Sequence, residues 1–134
     1  MPDKVFFDTN VLIYAMAEDD PRTQEAEELF AGGGVVSVQV LNEFVRVALA
    51  KMKMPWRDVR DALEVIQIFC PAPLPITLTT HQDALAIAEK CRFGIFDALL
   101  VASALAANCT ILYTEDMHDG QVIDGRMRIR NPFR

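Results

Sequence analysis

A chain of 134 residues is the size of one ordinary domain, with room for a single core. Hydrophobic residues make up 51% of it and charged residues 24%, a globular balance with no bias toward disorder. Thirteen Lys and Arg stand against 19 Asp and Glu, a formal net charge of −6; this excludes a protein that coats nucleic acid through its global field, so any such role rests on a local basic patch together with metal.

In chain order, residues 4–7, with the apolar run Val5-Phe6-Phe7, predict a buried strand stopped by Asp8. Thr9 or Asn10 caps a short helix to about Ala17. Asp20-Pro21 starts another, with proline at the first helical position and Glu25, Glu27 and Glu28 near the positive end of its dipole. Gly32-Gly33-Gly34 stops that helix; it is not a phosphate loop, because no Gly-Lys-Ser/Thr follows. Val35-Val36-Ser37 reads as a second short strand. Val38 to Ala50 reads as a helix with Val40, Leu41, Phe44, Val45, Ala48 and Leu49 on its apolar face. Pro55 to Phe69 is a further helix, striped by Val59, Leu63, Ile66 and Phe69. Residues 71–75 are a rigid proline connector, and Pro75 makes Ile76-Thr77-Leu78 an edge strand. Thr80 caps a helix to about Cys91, and Gly94 ends the turn after it. Asp97 caps the most apolar helix, which runs through Ala107. Thr110 to Tyr113 is a β-rich strand, and Met127 to Arg130 a final edge strand closed by Asn131-Pro132.

Cys70, Cys91 and Cys109 are odd in number and form no C-x-x-C pair, which speaks against a disulfide framework or a zinc site and for isolated core thiols in a reducing cytosol. The N-terminus carries charge at once and lacks an apolar signal core. The longest apolar stretch, Phe96 to Ala107, is interrupted by Asp97 and Ser103 and falls short of the ~20 residues a bilayer span needs. The expectation is a cytoplasmic protein without membrane contact.

Strands alternating with helices imply an α/β fold, a mainly parallel sheet covered by helices on both faces. Ligands of such sheets bind beyond the carboxyl ends of the strands. Asp8 and Asp116 follow two strands at that edge, and Glu43 and Asp97 lie in apolar helical segments. Each acid has an ordinary reading of its own. Asp8 can cap a helix, Asp97 can be an N-cap, Asp116 lies in a turn composition, and Glu43 can be a helix-surface acid, although Val40, Leu41 and Phe44 place it near the apolar edge. Gathered together, the four carboxylates would repel one another and call for a hard divalent cation such as Mg2+ or Mn2+, which takes oxygen ligands and serves phosphate chemistry.

Four segments carry a family resemblance: Phe7-Asp8-Thr9-Asn10-Val11-Leu12; residues 37–44 from Ser37 through Glu43 to Phe44; residues 96–104 beginning Phe96-Asp97-Ala98; and Leu112-Tyr113-Thr114-Glu115-Asp116-Met117. In this order, and spanning nearly the whole chain, they resemble the PIN domain, specifically the VapC-type toxin ribonucleases of bacterial toxin–antitoxin pairs. The ending Ile129-Arg130-Asn131-Pro132-Phe133 is also similar to family members. The resemblance implies a three-layer α/β/α fold around a sheet of four to five strands. It implies Asp8 and Asp97 as direct metal ligands, Glu43 as a ligand directly or through water, and Asp116 completing the cluster, often through water. Thr9, Asn10, Ser37 and Thr114 would orient ligands or waters. The implied activity is metal-assisted hydrolysis of an RNA phosphodiester, leaving a 5′-phosphate and a 3′-hydroxyl, with a small antitoxin as partner; a symmetric homodimer is expected because cyclic dimers are the commonest assembly.

The sequence departs from the pattern at Phe96, where an aromatic bearing a polar group is common, and Asp119 competes with Asp116 for the fourth acidic position. His118 reads as a solvated turn residue and His81 as a capping or surface group. Lys51, Lys53, Arg57 and Arg60 cluster at one helix junction, and Arg126, Arg128, Arg130 and Arg134 near the C-terminus; taken singly each reads as solvated surface, taken together as local positive charge for RNA. Met52, Met54 and Trp56 suit either core or a partner helix. Two other readings compete with the nuclease. A catalytically silent PIN-like binding module would not need all four acids. An Asp-based phosphatase would need a second Asp two residues after Asp8, where Asn10 stands.

Overall fold

The computed structural model describes residues 2–134. In chain order they form β1 (Val5–Phe7), α1 (Thr9–Met16), α2 (Thr23–Ala31), α3 (Val38–Ala50), α4 (Trp56–Phe69), α5 (Leu78–Cys91), α6 (Ile95–Ala106), β2 (Ile111–Tyr113), β3 (Val122–Ile123) and β4 (Met127–Arg130). The four strands make one sheet in the order β1-β2-β4-β3. β1 pairs with β2 and β2 with β4 in parallel, while β3 runs antiparallel to β4. The expected mainly parallel α/β arrangement is present, with four strands.

Strand register decides which residues meet at the sheet edge. Phe7, Tyr113 and Arg130 are partners across the three parallel strands and are the last residue of each. Asp8, Thr114 and Asn131 therefore leave the sheet side by side at its carboxyl edge. Successive strand residues point to opposite faces, and both Phe6 and Phe7 are fully buried, so each face of the sheet at β1 is covered. The main core joins Phe6, Phe7, Leu112 and Ile129 of the sheet to Leu12, Phe30, Phe44 and Ile66 of the helices. A smaller cluster of Ala84, Ala98 and Ala102 seals α5 against α6 through small side chains.

Several sequence expectations need correction. Residues 35–37 do not form a strand of the sheet. Val35 makes a single parallel bridge to Phe6, and Ser37 one to Leu74, because Ser37 already turns the chain into α3 as its N-cap. Residues 76–78 are not an edge strand: Thr77 is the N-cap of α5, and with Thr80 it forms a reciprocal capping box, so Thr80 is the third helical residue and not the cap. α1 is capped by Asp8 and not by Thr9 or Asn10, and Gly94 occupies the cap position of α6 expected for Asp97. α2 begins at Thr23, two residues beyond Pro21, after Arg22 and Thr23 donate backbone N–H groups to the side chain and carbonyl of Asp20. β4 is an inner strand, since the two-residue β3 flanks it.

Cys70 and Cys109 are buried and free, with their thiols pushed up to about 11, chiefly by burial; Cys91 is half-buried. They are core thiols without disulfides. Among the described residues no helix is long and apolar enough to cross a membrane.

Gly34 carries the return of the chain past β1. A Cβ there would lie 2.5 Å from Cε2 of Phe7. That ring is fully buried and held between Phe30 at 6.4 Å and Tyr113 at 6.2 Å, so it cannot swing aside. Gly34→Ala is expected to destabilise the protein by about 1–3 kcal/mol through overpacking. The check is the urea midpoint; an unchanged midpoint would mean that the Phe7 packing is loose.

Candidate active site

The site starts from the end of β1. The chain leaves the sheet at Asp8 in an extended conformation (φ −72°, ψ 162°) and enters α1 at once, so this residue is a helix cap at a sheet edge. Its Oδ1 accepts the Thr9 N–H at 2.6 Å, and its Oδ2 accepts the Thr114 hydroxyl at 2.7 Å. Only 5% of Asp8 is exposed. Burial pushes its carboxyl up to about 6, against the two hydrogen bonds that favour the anion; repulsion from Asp116 and Glu43 adds to the rise.

The other acids converge on it. Glu43 is half-buried on α3, whose start is fixed by the Ser37 hydroxyl accepting the Val40 N–H at 3.3 Å. The Thr9 hydroxyl donates to Glu43 Oε2 at 3.2 Å, tying the start of α1 to α3. Asp97 is half-buried in the first turn of α6, and burial, then repulsion from Asp116 and Glu43, raises its carboxyl above the ordinary range. Asp116 is exposed and accepts the Asn10 amide at 2.8 Å, while its own N–H donates to the Thr114 hydroxyl at 3.2 Å. Thr114 is thus a joint between Asp8 and Asp116.

Asp8 and Asp97 each feel the charges of Glu43 and Asp116, and Thr9, Asn10 and Thr114 donate to Glu43, Asp116 and Asp8. Ser37 is buried as a cap and bonds Val40, not an acid. Asp119 is engaged with the C-terminal segment: it accepts the Asn131 N–H at 2.8 Å and lies 4.0 Å from Arg134. Among the described residues no three His, Cys, Asp or Glu side chains stand as a ready-made ligand set. The oxygens of Asp8, Glu43 and Asp116 are turned to Thr and Asn donors, the arrangement that mutual repulsion favours. In donor chemistry the four fit a hard divalent ion, being all carboxylate, with no thiolate or imidazole.

Sequence reasoning missed Tyr14, Arg22 and Glu115. The Tyr14 hydroxyl donates to Glu115, and the Arg22 guanidinium lies 3.8 Å over the Tyr14 ring. The available signals were the spacing of Asn10 and Tyr14 on one helix and the position of Glu115 beside Asp116. The C-terminal arginines are partly committed: Arg126 donates to Leu105 and Asn108, Arg128 to the Gly120 carbonyl, and Arg134 pairs with Asp119. Met52 and Met54 pack on the core margin, whereas Trp56 is 60% exposed and Phe96, beside Asp97, 63%. His81 and His118 are both on the surface.

The family model of the PIN domain matches residues 5–118. No curated protein matches the chain in sequence. Solved structures share its fold. A toxin–antitoxin complex from Klebsiella pneumoniae is similar at a TM-score of 0.71 and 22% identity, over 97% of this chain and 98% of that one. VapBC2 from Rickettsia felis, bound to a DNA fragment from its promoter, gives 0.67 and 18%, over 95% and 97%. Mycobacterium tuberculosis VapC20, a sarcin–ricin loop cleaving toxin, gives 0.64 and 18%, over 84% and 90%.

Asp8 makes stability depend on pH. Its folded pKa, about 6, lies above the ordinary 3.8, so the folded state holds the proton longer than the unfolded one. Stability is therefore greatest below pH 4 with respect to this group and falls as pH rises from about 4 to 6, by at most about 3 kcal/mol. Asp8→Asn keeps a capping oxygen and cannot ionise. In EDTA it should be about 1–3 kcal/mol more stable than the parent above pH 6, with the gap closing below pH 4. Urea midpoints across this range check it; parallel curves for the two proteins would remove Asp8 as the source.

Proposed function

The chain belongs to the PIN domain family, and on that footing we propose that it is a metal-dependent endoribonuclease serving as the toxin of a toxin–antitoxin pair. What supports the reading is that the carboxyls of Asp8, at the end of β1, and Asp97, in the first turn of α6, are both raised by burial and both repelled by the same two acids, Glu43 and Asp116. Carboxylates held together at such cost suit a site made for cations.

Asp8 and Asp97 would hold a Mg2+ or Mn2+ ion directly, with Glu43 and Asp116 directly or through water. When bound, such an ion would lower the pKa of the attacking water, easing loss of its proton, and would offset the charge that develops on the phosphoryl oxygens. The chain's own residues set the geometry. Thr114 orients Asp8, Asn10 orients Asp116, and Thr9 orients Glu43. Attack of water on phosphorus with breakage of the P–O3′ bond leaves a 3′-hydroxyl and a 5′-phosphate, and no protein nucleophile is needed. RNA as substrate agrees with the described action of VapC20, a neighbour in fold.

Neighbours in fold were also solved as toxin–antitoxin complexes. For this chain the corresponding partner is a small antitoxin whose Arg or Lys enters the acidic pocket and pairs with its carboxylates. An apolar antitoxin helix would lie near Met52, Met54 and Trp56, the last being well exposed. The toxin acts in the cytoplasm as a homodimer.

Two expected outcomes test this. Asp97→Asn should lower Mn2+ affinity by about 10-fold or more in calorimetry while keeping the fold; an unchanged affinity places the ion elsewhere. Asp8→Asn should abolish RNA cleavage and growth arrest on expression, as EDTA does for the parent protein. An Asp8→Asn protein that still cuts RNA would sink the assignment.

A further inference from the structure

Beside the acidic cluster lies a second constellation, of which Tyr14, Arg22 and Glu115 take no part in the proposed chemistry. Asn10 and Tyr14 are four residues apart on α1, so their side chains leave the same side of the helix on successive turns. Asn10 donates to Asp116 Oδ2 at 2.8 Å, and the Tyr14 hydroxyl donates to Glu115 Oε1. Two consecutive loop residues are thereby gripped by two consecutive turns of one helix. Arg22 closes the other side. Its Nη1 is 3.4 Å from the second Glu115 oxygen, and its plane covers the Tyr14 ring at 3.8 Å. Its Nε and Nη2 both bind Asp20 at 2.9 Å, which fixes the guanidinium. Phe133 meets the Tyr14 ring edge-on at 5.0 Å.

Glu115 is an odd residue to find there. It adds a negative charge next to Asp116, in a place already crowded with carboxylates, and only 22% of its side chain is exposed. Packing alone could be met by an apolar side chain. What Glu115 supplies is an acceptor with two oxygens, one for Tyr14 and one for Arg22. Those two partners belong to α1 and to the start of α2, so the loop after β2 is clamped to both. The clamp acts where it matters, because Thr114 on one side of Glu115 bonds Asp8 and Asp116 on the other bonds Asn10.

We propose that Glu115, held by Tyr14 and Arg22, is a positioning residue that fixes the Thr114–Asp116 backbone so that Asp116 faces Asp8, Glu43 and Asp97; its consequence for metal binding rests on the reading of those acids as the ion site.

Three variants and two readouts test it. Tyr14→Phe removes only the hydroxyl and keeps the ring under Arg22 and Phe133. Glu115→Ala removes the clamp, and Glu115→Gln restores an acceptor for Tyr14. Amide hydrogen exchange of the metal-free protein is followed at Asp116 and at residues 111–113 of β2, with Mn2+ affinity measured by calorimetry. Tyr14→Phe and Glu115→Ala should speed exchange at Asp116 by about 10-fold while β2 stays protected. Both should lower Mn2+ affinity by about 10-fold, and Glu115→Gln, which keeps the acceptor for Tyr14 but not the one for Arg22, should recover part of each loss. Unchanged exchange at Asp116 in both variants overturns the proposal. So does equal acceleration of Asp116 and β2 together with a lower urea midpoint, since that marks a general structural contact. If the parent protein binds no Mn2+, the ion-site reading fails by itself, and the exchange comparison still decides whether Glu115 positions the loop.

Discussion

Taking a carboxylate out of water at the end of a buried strand is the constraint around which this molecule is arranged. Asp8 must stay where β1 delivers it, because the strand before it is core on both faces and the helix after it begins one residue later. Its two oxygens are met by the first N–H of α1 and by a hydroxyl from the neighbouring strand's exit. Those bonds oppose the desolvation cost without cancelling it, since the carboxyl remains well above its ordinary value. Parallel pairing is what makes the arrangement possible. In an antiparallel pair the exit of β2 would lie at the other edge of the sheet, and Thr114 could not reach Asp8.

The same parallel register brings the C-terminal segment into the neighbourhood. Asn131 leaves β4 beside Thr114, and its N–H is accepted by Asp119. Phe133 then closes on Tyr14. The chain's last residues thus brace the loop that holds Asp116, and the second candidate for the fourth acidic position is occupied in doing so.

Where a strong period and a strong cap coincide, the sequence is readable almost to the residue. α3 spans Val38–Ala50 as its apolar face indicates, and α4 follows Pro55 as expected. Short extended segments are not readable in this way. Residues 35–37 and 76–78 have β-forming side chains, yet in each a hydroxyl captures a helical N–H three residues on, so Ser37 and Thr77 become helix caps where a strand was expected to continue. β3 has two residues and therefore no period to detect. The inner position of β4 depends on which strands become neighbours, and a hydropathy pattern carries no such information. The acids Asp8, Glu43, Asp97 and Asp116 were legible because each interrupts or ends an apolar run. The Tyr14–Glu115 contact was not, as its partners lie 101 residues apart and neither breaks a pattern.

The bridge at Val35 has a consequence beyond the site. An outer strand normally offers a row of unused amides and carbonyls to any other chain that drifts alongside. Here the Val35 N–H donates to Val5 and the Val35 carbonyl accepts from Phe7, so the free side of β1 is already spent. On the opposite border, β3 has only two residues, too few to template a visitor. A small sheet rich in valine, isoleucine and phenylalanine is thereby kept from growing by intermolecular strand addition, a hazard that its composition alone would invite.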